Sequence, residues 1–90
     1  MDIQPKEYKM IVTYQRKFEN ITYNTSYYNS KSYAIRKAKR LMNDFEVREI
    51  VILDRSRCNI LALQKYGKTI EETGNDGTYR RVYSLNDISI

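Results

Sequence analysis

The sequence predicts an α+β fold, an antiparallel sheet with one helix packed on a face, in the order β-β-α-β-β followed by a C-terminal β-hairpin. Three observations predict it. Apolar and polar residues alternate through both ends of the chain, one stretch after Ser30 switches to helical spacing, and turn-forming residues separate the alternating runs. One helix resting on an antiparallel sheet is the simplest layering of such elements.

Residues 1–5 read as a loose lead-in. From Lys6 to Arg16, Tyr8, Met10, Val12 and Tyr14 share one face, with Lys9, Thr13 and Gln15 on the other, the pattern of a half-buried strand. Arg16 to Asn20 form a polar connection. Ile21, Tyr23, Thr25 and Tyr27 then alternate with Thr22, Asn24 and Ser26, and the two runs form a hairpin. Asn29 and Ser30 supply side-chain oxygens where a helix should start. Behind them Ala34, Ala38, Leu41, Met42 and Phe45 make one apolar stripe, and Asn43 and Asp44 close the helix. Ile50-Val51-Ile52-Leu53, preceded by Val47, is apolar on both faces, as in a central strand covered on both sides. Asp54 to Arg57 turn the chain into a partner strand, Ile60-Leu61-Ala62-Leu63, which Gly67 breaks or bulges. Thr69–Thr73 and Thr78–Ser84 flank Gly74-Asn75-Asp76-Gly77, a strong hairpin signal because Gly and Asn tolerate positive φ. Residues 86–90 read as a loose tail.

Ninety residues fit one small domain, 1–90, with a core thin enough that oligomerisation is a common supplement. The charged fraction of 30% and apolar fraction of 41% suit such a domain and do not signal disorder. Cys58 is the only cysteine, so no intramolecular disulfide forms. The absence of a signal stretch and of a long apolar run gives the expectation of a soluble, cytoplasmic protein without membrane contact. Ile, Lys, Asn and Tyr are abundant while Pro, Gly and Trp are scarce. In size and composition the chain resembles small accessory proteins of phages that infect low-GC Gram-positive bacteria. That resemblance implies a host-takeover or anti-defence role in the host cytoplasm.

Catalytic chemistry is poorly served. There is no histidine, which removes the usual general base near neutral pH and the commonest metal ligand. No phosphate loop, nucleophile elbow or metal-ligand spacing occurs, so neither catalytic residues nor a metal or cofactor site is expected. Glu71 and Glu72 would point to opposite faces of a strand and cannot act together, and Glu46 and Glu49 read as solvent charges. Cys58 reads as a small apolar residue beside Ile60, with a thiol activated by Arg55 and Arg57 as the alternative. The expectation is a non-enzymatic binding protein.

Two surfaces are candidates for binding. The net charge is +5 and unevenly spread: between Lys6 and Arg40 the only acids are Glu7 and Glu19. On the helix, Arg36 and Arg40 lie opposite the apolar stripe with Lys37 and Lys39 to either side, a cluster able to neutralise several phosphates. The same cations could simply be a solvated face that complements the helix dipole. The second surface is Tyr79, Arg81 and Tyr83, which share a face of the last strand. This ring-guanidinium-ring ladder suits stacking on a base, or ordinary cross-strand packing. The leading expectation is recognition of an anionic ligand, a nucleic acid or nucleotide signal, through Arg36, Lys37, Lys39, Arg40 and Arg81 with stacking on Tyr79 and Tyr83. The alternative is an inhibitor or adaptor that binds a host protein, such as a nuclease effector of host defence. Nine tyrosines serve either kind of interface, or a small sheet protein's packing. Because one helix covers only one side of a sheet, the chain is further expected to form a homodimer by pairing of sheet faces, unless the C-terminal hairpin folds across the second face.

Overall fold

In the computed structural model, which describes residues 7–15, 21–74 and 77–85, the alternating runs become strands of one sheet. The elements are β1 (Tyr8–Tyr14), β2 (Thr22–Tyr28), α1 (Lys31–Leu41), β3 (Val47–Leu53), β4 (Asn59–Tyr66), β5 (Thr69–Gly74) and β6 (Tyr79–Ser84). Every pairing is antiparallel and the strand order is β2-β1-β3-β4-β5-β6. The fold class is therefore α+β, with one refinement. The C-terminal pair is not a hairpin apart: β5 pairs with β4, so the sheet continues to six strands. The expected lead-in 1–5, tail 86–90, connection Arg16–Asn20, and Asn75-Asp76 of the last turn lie outside the described residues.

Register explains the core. Met10 faces Ile52 and Val12 faces Ile50 across β1 and β3, while Ile50 faces Leu63 and Ile52 faces Leu61 across β3 and β4. These residues, with Ile70 of β5, form one buried face against Ala34, Ala38 and Met42 of α1. Ala34 and Ala38 are fully buried; with no side chain beyond Cβ they let the helix approach the sheet closely, and Met42 fills the space at the helix end. Ser30 caps the start, its Oγ accepting the Tyr33 N–H at 3.2 Å.

The helix stops at Leu41 with Met42 as its cap, which corrects the expected stripe at one point. Phe45 continues the helical arithmetic yet is 80% exposed. By then the chain has left the helix: the Asp44 carboxylate accepts the Glu46 N–H and its carbonyl accepts the Val47 N–H, turning the backbone into β3. A second Asx-type turn joins β3 to β4, with Asp54 Oδ1 accepting the N–H groups of Ser56 and Cys58 at 2.9 and 3.0 Å. Cys58 sits there exposed and does not pack into the core. Gly67 ends β4 in a turn at φ +60, where a side chain would be strained.

Among the described residues no helix lies on the opposite face of the sheet. There the central strand is covered on one side only, and Ile11, Val51, Leu53 and Ala62 are half-buried on the other. Thr13, Glu49, Gln64 and Glu71 form a polar row beside them by register, so the apolar patch is narrower than the sequence suggests. The C-terminal strands do not fold across this face; they extend the sheet beside β4.

Candidate anion-binding site

The helix that buries Ala34, Ala38 and Met42 must turn Tyr33, Arg36, Lys37 and Arg40 outward, because residues at i, i+3, i+4 and i+7 share a face. These four line a shallow cleft of about 250 Å³. Three of the five expected anion-binding residues, Arg36, Lys37 and Arg40, are therefore brought together. Tyr33 joins them, 48% exposed at the cleft's N-terminal end, and sequence reasoning missed it. The signal was available in the spacing 33, 36, 37, 40. On the β2 side, Tyr28 packs against Tyr33 with ring centroids 5.5 Å apart, and the Lys37 ammonium lies 5.4 Å over the Tyr28 ring. Ser26 Oγ donates to the Tyr28 hydroxyl at 2.9 Å, which fixes that ring.

Like charges at helical spacing repel by a few tenths of a kcal/mol per pair. Arg36 and Arg40 are such a pair, Lys37 and Arg40 another, and neither arginine has an acidic partner among the described residues. Only Arg40 and Lys39 lie in the last turn, where the helix dipole rewards a cation. An anion in the cleft would relieve this repulsion.

Lys39 goes elsewhere. It lies on the other flank of α1, with its ammonium 3.6 Å from Oε1 of Glu72. Glu72 is a buried carboxylate, 4% exposed, and the same oxygen accepts the Tyr83 hydroxyl at 3.0 Å. Glu71, one residue away, faces the open side and pairs with Arg80 at 3.3 Å; the two acids do point apart, as expected. Among the described residues no group of three or more His, Cys, Asp or Glu side chains could hold a metal ion.

Tyr79, Arg81 and Tyr83 share one face of β6, opposite Gly74, Glu72 and Ile70 of β5. The ladder exists but is engaged within the fold. Tyr83 packs against the core, and the Arg81 guanidinium lies 5.2 Å over its ring. Burial, then the hydrogen bond to the Glu72 carboxylate, push the Tyr83 hydroxyl well above the ordinary tyrosine range. Tyr79 packs its ring beside Gly74, where an added Cβ would come within 3.3 Å of it. The ladder and the helix cleft lie on different parts of the molecule: β6 is one edge of the sheet, whereas the cleft leans toward β2, the other edge.

No helix among the described residues is long and apolar enough to cross a membrane. Comparison with family models, curated proteins and solved structures finds no match to this chain.

Proposed function

We propose that this chain is a non-enzymatic binding protein that recognises the phosphates of a nucleic acid or nucleotide through Tyr33, Arg36, Lys37 and Arg40. The observation that carries the reading is the basic stripe: three cations line one cleft, with an aromatic ring at its end and, among the described residues, no acid paired with them. The cleft's size suits a phosphate or sugar-phosphate, with Tyr33 as a platform for the attached base. Arg81, Tyr79 and Tyr83 would at most contact a longer strand, and Lys39 is held by Glu72. The compositional resemblance to small phage accessory proteins suits a role against host defence in the cytoplasm. A homodimer would set two such stripes on one particle.

The experiment is fluorescence anisotropy of a labelled single-stranded oligothymidylate, with a nucleoside triphosphate as competitor. Three phosphates neutralised on a single strand give a slope of log affinity against log salt of about −2, so affinity falls about 20-fold between 50 and 200 mM salt. Arg36→Glu with Arg40→Glu should abolish binding and leave the melting temperature nearly unchanged, since both side chains are exposed. Unchanged affinity in that variant removes the helix face from consideration. A flat salt dependence would favour the competing reading, a protein-binding inhibitor, for which Tyr23, Tyr27 and Tyr66 are exposed on the sheet.

A further inference from the structure

Strand β2 is an open edge of the sheet, and among the described residues nothing pairs with its outer side. Such an edge presents a row of free N–H and C=O groups, and monomeric proteins guard it with charges, proline or bulges. The β2 sequence supplies none of these. From Ile21 to Ser30 the chain holds no charged residue and no proline, in a protein that is 30% charged. The seven residues of β2 pair with β1 without a register shift. The other edge, β6, does carry a guard, with Arg80 and Arg81 side by side and pointing to both faces.

The β2 sequence is also complementary to itself. An antiparallel pair of identical strands has a two-fold axis, and centring it on Thr25 sets Thr25 against Thr25 of the second copy. Tyr23 then opposes Tyr27 twice, on the open face, and Asn24 opposes Ser26 twice, on the helix face. Aromatic pairs and hydroxyl or amide pairs are the favourable cross-strand combinations. Tyr23 and Tyr27 are 69% and 51% exposed in one copy, so pairing covers the largest apolar side chains that the edge leaves wet. We infer that two copies of this chain join edge to edge through β2, centred on Thr25, into a continuous twelve-stranded sheet.

This pairing differs in kind from stacking of sheet faces. The two-fold runs perpendicular to the sheet, so both helices lie on the same side. With strands roughly 4.8 Å apart and α1 resting over β1 and β3, the helix axes would stand about 20 Å apart. Subtracting helix thickness leaves a groove about 10 Å wide. Its floor is Tyr28, Ser26 and Asn24 of each β2, and its walls are Tyr33 and Lys37 of each helix. One copy offers only half of it. The groove as a ligand site rests on the anion-binding reading; the dimer does not.

Light scattering without any ligand tests the dimer. The wild-type protein at micromolar concentration should show twice the single-chain mass of 10.8 kDa. Thr25→Lys sets two cations at the axis, and Tyr23→Lys with Tyr27→Lys sets cations in both cross-strand pairs. Both variants should show the single-chain mass with an unchanged circular dichroism spectrum. Tyr23→Lys with Tyr27→Glu makes both pairs attractive and should restore the doubled mass. Independently, Thr25→Cys in a Cys58→Ser background should oxidise to a covalent dimer, because residues opposite each other lie within disulfide reach. A single-chain mass for the wild type would overturn the proposal. So would a doubled mass in the two repulsive variants, or failure of the Thr25→Cys variant to cross-link. Anisotropy on the cross-linked dimer then separates the readings: a dimer that fails to bind oligothymidylate refutes the ligand and keeps the interface.

Discussion

Removing the Tyr83 hydroxyl, in Tyr83→Phe, isolates one buried hydrogen bond that ties β6 to the rest of the sheet. Its acceptor is Glu72 Oε1 at 3.0 Å, on a carboxylate only 4% exposed. A hydrogen bond to a charged group contributes about 1.5–3 kcal/mol. The lower half of that range applies, because Glu72 keeps Lys39 at 3.6 Å and that lysine is in contact with water. Tyr83→Phe should therefore cost about 2 kcal/mol. Tyr83→Ala also loses the half-buried ring, and half of a large aromatic truncation adds about 2 kcal/mol more. The assay is urea unfolding, read as a lowered midpoint at constant slope. The same pair of proteins carries a pH signature. The Tyr83 pKa is raised in the folded state, by burial first and the Glu72 bond second. A raised value means stability that is fully present below the unfolded tyrosine pKa of about 10 and lost as pH rises through the folded value. Wild-type stability should thus fall relative to Tyr83→Phe at alkaline pH, and the gap between them should narrow. A Tyr83→Phe stability within about 0.5 kcal/mol of wild type, on the usual scale of neutral surface substitutions, would refute this account and free the ladder for ligand binding.

Two further outcomes follow from the helix. Ser30→Ala removes the side chain that accepts the Tyr33 N–H and should cost about 1 kcal/mol in the same urea assay. Among the described residues, Lys39→Met leaves the buried Glu72 with Tyr83 as its partner. Breaking a fully buried pair costs about 3–5 kcal/mol, but water reaches Lys39, so about 1–2 kcal/mol is expected. Lys39→Met should leave oligothymidylate anisotropy unchanged, in contrast to the Arg36/Arg40 variant, because Lys39 lies on the far flank of α1 from the cleft's Lys37.

The strands were legible because one face of the sheet is buried, and a period of two then leaves its mark: Tyr8, Met10, Val12 and Tyr14 face the helix as their spacing requires. Phe45 shows where periodicity misleads. Its position continues the helical stripe, but the Asp44 carboxylate captures the Glu46 N–H and the chain has already turned. Glu72 was legible in principle, since it alternates with Ile70 and Gly74, both buried. Two adjacent acids look like surface residues until one knows that Tyr83 and Lys39 meet one of them. Those partners come from β6 and α1, and nothing local in the sequence brings them together. The stripe Arg36, Lys37 and Arg40 could be read from helical spacing alone, whereas the diversion of Lys39 needed the sheet order that brings Glu72 of β5 within its reach.

The uneven charge along the chain becomes an uneven charge around the helix through the way the acids are engaged. Glu72 holds Lys39 and Tyr83, Glu71 holds Arg80, Asp54 accepts two N–H groups of its own turn, and Asp44 accepts the Glu46 N–H. Each of these follows α1 in the sequence, and each is engaged within the fold. Within the helix, the positions four residues from Arg36 are Ser32 and Arg40, and those four from Lys37 are Tyr33 and Leu41. Position 44 is the one acid at the right spacing from Arg40, and it lies in the turn with its carboxylate engaged. No intrahelical pair can therefore neutralise the stripe. A surface helix kept for stability alone gains by interleaving acids at these spacings. This helix forgoes that gain along the one face that borders the unguarded edge of the sheet. Ligand and second copy would then meet at the same border, with Tyr28 facing both: its ring carries Lys37 above, and its strand is the seam.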